Sequence, residues 1–159
     1  MPGSGKSTLG GKLAKELMVE FIDLDKAIEG REGKSITETF AQNGEDYFRQ
    51  LESQVLTEWS GSSKNFVMAT GGGTPCFYNG IEIINESGLS IFLDVPVGKL
   101  LSRLEKKTDR PLLSASDITE MEDKLQALRS GRLNIYQQAH VKVENADLSK
   151  LMEAIHLRS

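Results

Sequence analysis

The sequence predicts an α/β fold: a three-layer sandwich in which a parallel sheet lies between helices. Short apolar runs rich in β-formers recur at residues 21–24, 66–70, 89–94 and, less clearly, 140–144. The clearest are continuously apolar rather than alternating, which suits strands buried on both faces. Between them, apolar residues recur at helical spacing, and such alternation of strand and helix is the signature of a layered α/β domain. A length of 159 residues favours one domain with one core.

Each element can be justified in turn. After Gly5, the residues Leu9, Leu13 and Leu17 recur every fourth position and predict a first helix, followed by the strand at 21–24. Phe48, Leu51, Val55 and Trp59 form an i, i+3, i+7, i+11 stripe, which makes Trp59 a core residue rather than a ligand platform. The strand at 66–70 runs into Gly71-Gly72-Gly73-Thr74-Pro75, which suits neither a helix nor a strand interior. After the strand at 89–94, Pro96 is a favourable first-turn residue for the stripe Val97, Leu100, Leu101 and Leu104. Residues 106–117 are polar around Arg110-Pro111 and predict a mobile connection. Met121, Leu125 and Leu128 resume helical spacing, and Leu148, Leu151, Met152 and Ile155 close the chain with another helix. No internal repeat or interdomain linker interrupts the pattern.

Composition excludes several classes of function. Apolar residues at 38% and charged residues at 26% are ordinary for a globular chain and argue against disorder. Nineteen Lys and Arg against 23 Asp and Glu give a net charge of −4, so nucleic-acid binding through bulk positive charge is not expected. An anionic ligand would have to be held by a few local cations. One cysteine allows no internal disulfide, and no Cys/His cluster has zinc-site spacing. A reducing cytoplasm is the expected location. No apolar run approaches the roughly 18 residues needed to cross a membrane. Cys76 reads as a buried, unreactive thiol, and His140 and His156 as structural or solvated.

The chemistry begins at the N-terminus. Gly3-Ser4-Gly5-Lys6-Ser7-Thr8 is the C-terminal part of the P-loop pattern G-x-x-x-x-G-K-[ST]. Small residues let successive backbone N–H groups surround phosphate oxygens, and the following helix aims its positive end at the same place. Lys6 would reach the β- and γ-phosphates of a nucleotide, and the Ser7 hydroxyl would help to hold Mg²⁺. The pattern's first Gly and the strand that normally feeds the loop have no counterpart before Met1.

Other segments bear on the acceptor. Asp23 and Asp25 lie two residues apart at a strand end, near the sheet edge where open α/β sheets bind ligands. One could order Mg²⁺ through water and the other accept a hydroxyl proton; alternatively Asp25 is an N-cap for a short helix. Arg49, taken alone, reads as a solvated surface charge. The glycines Gly71, Gly72 and Gly73 would let the backbone approach a ligand closely, or simply form a flexible turn.

Taken together, G-S-G-K-S-T, F-I-D-L-D-x-x-I-E, F-R-x-x-E, G-G-G-T-P-C, D-R-P-L-L and Arg132-x-x-x-Tyr136 resemble the shikimate kinases, small P-loop phosphotransferases of the nucleoside-monophosphate-kinase type. The motifs occur in the family's order and approximate spacing from residue 2 to about residue 140. The resemblance implies a P-loop kinase sheet in the order 2-3-1-4-5, whose central first strand is missing from this chain. The four remaining strands are then expected in the order 21–24, 66–70, gap, 89–94, 140–144. It further implies one kinase domain over 1–159, with an acceptor-binding segment at about 25–60 and a lid at about 106–118.

Residue by residue, Gly3, Ser4, Gly5, Lys6, Ser7 and Thr8 match the family's ATP-binding loop. Ser7 and, through water, Asp23 match its magnesium site. Asp25 matches the aspartate that binds the acceptor's hydroxyls and is the candidate base, and Arg110 the lid arginine that closes over the nucleotide. Arg49 and Arg132 resemble the pair that clamps the shikimate carboxylate, a task suited to planar guanidinium groups. Gly71, Gly72 and Gly73 match the stretch lining the shikimate pocket, whose apolar ring surface Phe48 and Phe40 could cover. The implied reaction converts ATP and shikimate to ADP and 3-phosphoshikimate, in a monomer acting on small molecules. One departure is Asn134, where the family usually has proline two residues before the matching tyrosine; a softened helix end at Arg132 is the expected consequence. The rivals are a related small-molecule kinase, such as a gluconate kinase, and an inactive ligand-binding relative.

Overall fold

The computed structural model describes residues 1–106 and 115–158. Helix α1 (Lys6–Glu16) leads to β1 (Glu20–Asp23), α2 (Leu24–Glu32) and the long α3 (Ile36–Ser60). Strand β2 (Phe66–Ala69), a 3₁₀ turn (Thr74–Cys76) and α4 (Gly80–Ser87) follow. Then come β3 (Ile91–Asp94), α5 (Val97–Glu105), α6 (Ala115–Tyr136), β4 (Val141–Glu144) and α7 (Leu148–His156).

The strands form two parallel pairs, β1 with β2 and β3 with β4. Phe21 stands opposite Val67 in the first pair and Phe92 opposite Lys142 in the second. Between the pairs lies a cavity of about 520 Å³, lined by Val67 and Ala69 of β2, Ile91 and Leu93 of β3, Leu13 of α1 and Leu151 of α7. The expected gap is therefore present, in its expected place between the second and third strands. Every strand of the described residues sits where the sequence put it, with ends shifted by one or two residues; β1 starts one residue early and the other three are trimmed.

Alternation along the strands distributes their side chains to two faces. Val67, Ile91, Leu93 and Val143 pack with α1 and α7. On the other side Met68 joins Leu24, Ile28, Phe48, Leu51 and Val55 of α2 and α3. Phe92 packs there with Leu100, Leu101, Leu125 and Tyr136 of α5 and α6. These two helical layers around the strands form the anticipated sandwich.

Three local expectations are corrected. Leu24 ends no strand: the Asp23 carboxylate accepts from the Lys26 amide and starts α2 one residue earlier, so Asp23 rather than Asp25 is the N-cap. Helix α6 runs unbroken through Asn134 to Tyr136, and Gln137 N–H still donates to the Leu133 carbonyl at 2.9 Å. The residue that replaces the usual proline retains its N–H and lets the helix continue. Phe48 is only 3% exposed and stacks on Phe40 at 4.5 Å between centroids, so its ring belongs to the core rather than to a ligand surface. Helix α4 carries no periodic stripe long enough to be read from sequence. Helix α3 begins at a capping box, Ser35 with Glu38, and kinks at Gly44, where φ is 83°.

Candidate functional site

The loop before α1 is shaped by glycine. Gly3 and Gly5 have φ of 70° and 92°, a region that other residues adopt only with strain. Gly5 is the N-cap and offers no side chain to the first-turn amides of α1, which leaves them directed at the loop's concavity. Lys6 curls over that loop, donating to the Met1 carbonyl at 2.8 Å and to Ser4 Oγ at 3.3 Å. Burial pushes its ammonium pKa down, with Asp25 opposing the shift. Ser7 Oγ donates to Asp23 Oδ2 at 2.7 Å, which brings the two expected metal-site oxygens together; Thr8 is exposed on the same turn.

The second half of the site is assembled by the glycine triplet. A β-carbon on Gly71 would stand 3.3 Å from Asp25 Oδ1 and 2.7 Å from Glu52 Oε1. One on Gly72 would stand 3.1 Å from Arg132 Nη1, and one on Gly73 would collide with the Arg49 guanidinium. Three successive residues thus face four charged side chains from α2, α3 and α6. Tyr136 fixes the segment by donating its hydroxyl to the Gly72 carbonyl at 2.6 Å. Spacing alone could not show this convergence.

Electrostatics divides the site into an acidic and a basic end. The Asp25 pKa is raised, first by burial and then by the neighbouring carboxylates Asp23 and Glu52, against the pull of Lys6. Arg49, read from sequence as a surface charge when taken alone, has a side chain only 11% exposed. Its Nη1 donates to Glu52 Oε2 at 2.9 Å and its Nε to Glu45 Oε1 at 3.2 Å. Glu52 itself is 2% exposed and accepts from Thr74 Oγ1 at 2.6 Å through its other oxygen. Burial pushes the Cys76 thiol up, as expected of an unreactive cysteine.

The structure therefore gathers Lys6, Asp25, Arg49, Arg132 and Gly71–Gly73 around one region, with Ser7 and Asp23 beside the loop. Arg110 and most of the expected lid lie outside the described residues. Two functional candidates escaped sequence reading. Arg103 on α5 donates to the Gly3 and Ser4 carbonyls at 3.0 and 3.2 Å; as one polar residue on an amphipathic helix it carried no signal. Thr74 anchors the glycine segment to Glu52, and only its place after the triplet marked it.

A family model described as shikimate kinase matches residues 2–157. The chain belongs to the shikimate kinase family. A shikimate kinase from Clostridium botulinum (strain Loch Maree / Type A3) is 40% identical over 157 residues, covering 98% of this chain and 89% of its own. One from Bacteroides fragilis is 42% identical over 139 residues, covering 87% and 77%. Among solved structures, the Bacteroides thetaiotaomicron shikimate kinase superposes with a TM-score of 0.87 at 36% identity, covering 97% of this chain and 93% of that one. The Acinetobacter baumannii shikimate kinase, determined in complex with shikimate, gives 0.86 at 33% identity and covers 99% and 90%. Membership of this kinase family makes ATP the co-substrate. No helix among the described residues is long and apolar enough to cross a membrane.

Proposed function

We propose that the protein transfers the γ-phosphoryl group of ATP to a hydroxyl of shikimate, giving ADP and 3-phosphoshikimate. The observation that carries this reading is the convergence of Asp25, Arg49 and Arg132 on the Gly71–Gly73 segment, beside a lysine-bearing phosphate loop. An acceptor with a carboxylate at one end and hydroxyls at the other matches a site with two guanidinium groups and one carboxylate. Arg49 and Arg132 hold the carboxylate. The glycines bring the backbone against the ring, and Asp25 receives the hydroxyl's proton as the new O–P bond forms. Its raised pKa gives it the basicity that the role needs. Lys6 exchanges its contacts with the loop for the β- and γ-phosphates, and α1 contributes its amides. Phosphoryl transfer then rests on alignment and charge neutralisation.

The pair Ser7 Oγ and Asp23 Oδ2 offers the hard oxygen donors that Mg²⁺ takes, and Mg²⁺ commonly needs only one or two protein oxygens beside phosphate and water. When bound it would neutralise phosphate charge. Residues 25–60 form the acceptor segment in this reading, and residues 106–118, with Arg110, the lid over the nucleotide. The single, half-buried thiol of Cys76 supports the assignment of this small-molecule enzyme to the reducing cytoplasm.

Titration tests the reading. Arg49→Ala and Arg132→Ala should each weaken shikimate binding by about 10- to 150-fold, the value of one charge-assisted contact, while ATP binding changes little. Unchanged shikimate affinity in both would reject the carboxylate clamp.

A further inference from the structure

Phe77 lies four residues beyond Gly73, and neither the motifs nor the phosphoryl-transfer reading gives it a task. Phe77 is 38% exposed, yet Arg49 Cζ lies 4.4 Å from its ring centroid. Phe48 also approaches that carbon, at 5.2 Å, but from within the core. The Arg49 guanidinium is therefore held at its N–H edge by Glu45 and Glu52 and contacted by two aromatic rings. At such distances the ring quadrupole attracts the cation, more strongly where water is excluded.

The seat of Phe77 is built into the backbone. Tyr78 and Asn79 take left-handed φ of 49° and 56° in succession, uncommon for residues other than glycine. Gly80 N–H donates to the Phe77 carbonyl at 2.9 Å. Gly80 also packs so tightly on the Thr74 carbonyl that any β-carbon would overlap it. The turn is thereby locked to the 3₁₀ segment, and Thr74 within that segment is bonded to Glu52, the partner of Arg49. One buried carboxylate thus references both the ring and the guanidinium.

We propose that Phe77 is a positioning residue for the acceptor: its ring holds and partly dries the Arg49 guanidinium, so that the site favours an acceptor bearing a carboxylate. The inference rests on the assignment of Arg49 to that carboxylate. It is tested by steady-state kinetics on the full chain. Phe77→Leu keeps an apolar side chain but removes the π face; KM for shikimate should rise about 2- to 30-fold, with kcat and KM for ATP little changed. Phe77→Tyr should restore the wild-type KM. In an Arg49→Ala background, Phe77→Leu should add no further loss. A wild-type KM in Phe77→Leu, or an equal loss with and without Arg49, would overturn the proposal. If Arg49→Ala alone left shikimate affinity intact, the acceptor assignment itself would fall, whatever Phe77 did.

Discussion

Replacing Glu52 with Gln probes how the acceptor site is held together. Both Glu52 oxygens are engaged, Oε1 by Thr74 Oγ1 at 2.6 Å and Oε2 by Arg49 Nη1 at 2.9 Å. Glutamine supplies one acceptor oxygen. If it keeps Thr74, its amide N–H₂ faces the Arg49 guanidinium, donor against donor. Of its two carboxylate partners Arg49 then retains Glu45, whose side chain is 57% exposed and whose pairing is worth little in water. Breaking a buried ion pair by removing one charge costs about 3–5 kcal/mol. Because Arg49 can turn toward Glu45, the lower end, about 3 kcal/mol, applies here. For a chain of this size each kcal/mol moves Tm by about 2–4 °C, so calorimetry should find melting lowered by about 6–12 °C. Shikimate affinity should fall by at least about tenfold as Arg49 loses its aim, whereas nucleotide affinity should hold. A variant that melts within about 2 °C of wild type and binds shikimate normally would refute the argument.

Asp25→Asn should abolish most turnover and leave ATP binding nearly intact; loss of ATP binding would place Asp25 in the metal site. The same substitution should raise the melting temperature at neutral pH. The folded-state pKa of Asp25 lies above its ordinary value, so ionising it costs the folded state a stability that it keeps at low pH. That cost is absent below the unfolded pKa and complete above the folded one. The gain in Tm should therefore vanish as melts are taken to lower pH. Arg110→Ala should lower turnover at saturating ATP and shikimate more than it lowers shikimate affinity in the binary complex, and full turnover would contradict the lid role. Finally, adding eight to ten residues before Met1, a short apolar strand and then a glycine, should raise Tm by filling the cavity between β2 and β3. Each buried backbone group that gains a partner there relieves about 1–3 kcal/mol; equal, cooperative melting of both chains would show that the gap is no defect.

Much of the fold was legible because buried parallel strands declare themselves as unbroken apolar runs. Residues 66–69 needed only trimming. Boundaries failed where a side chain decided them: Asp23 caps α2, and residue type alone does not say which of two aspartates will cap. Helix α4, eight residues long, is too short for periodicity to accumulate. The phosphate loop was readable because its chemistry is local, built from consecutive small residues and the following helix. The acceptor site is not local. Arg49, Arg132 and Asp25 lie far apart in sequence, and only the glycine triplet, threaded between three helices, brings them together. Family resemblance named those residues for one site, but it could not show that Glu52 and Phe77 contact the Arg49 guanidinium. The Phe77 contact depends on the turn at Tyr78 and Asn79, whose conformation their residue types do not announce.

Whether shikimate is the acceptor is decided by ADP release measured in a coupled assay with ATP and Mg²⁺ and with shikimate, gluconate or no acceptor. ADP formation should depend on shikimate, saturate with it, and stay at the acceptor-free rate with gluconate. Equal ADP formation in all three arms, or formation driven by gluconate alone, would contradict that assignment.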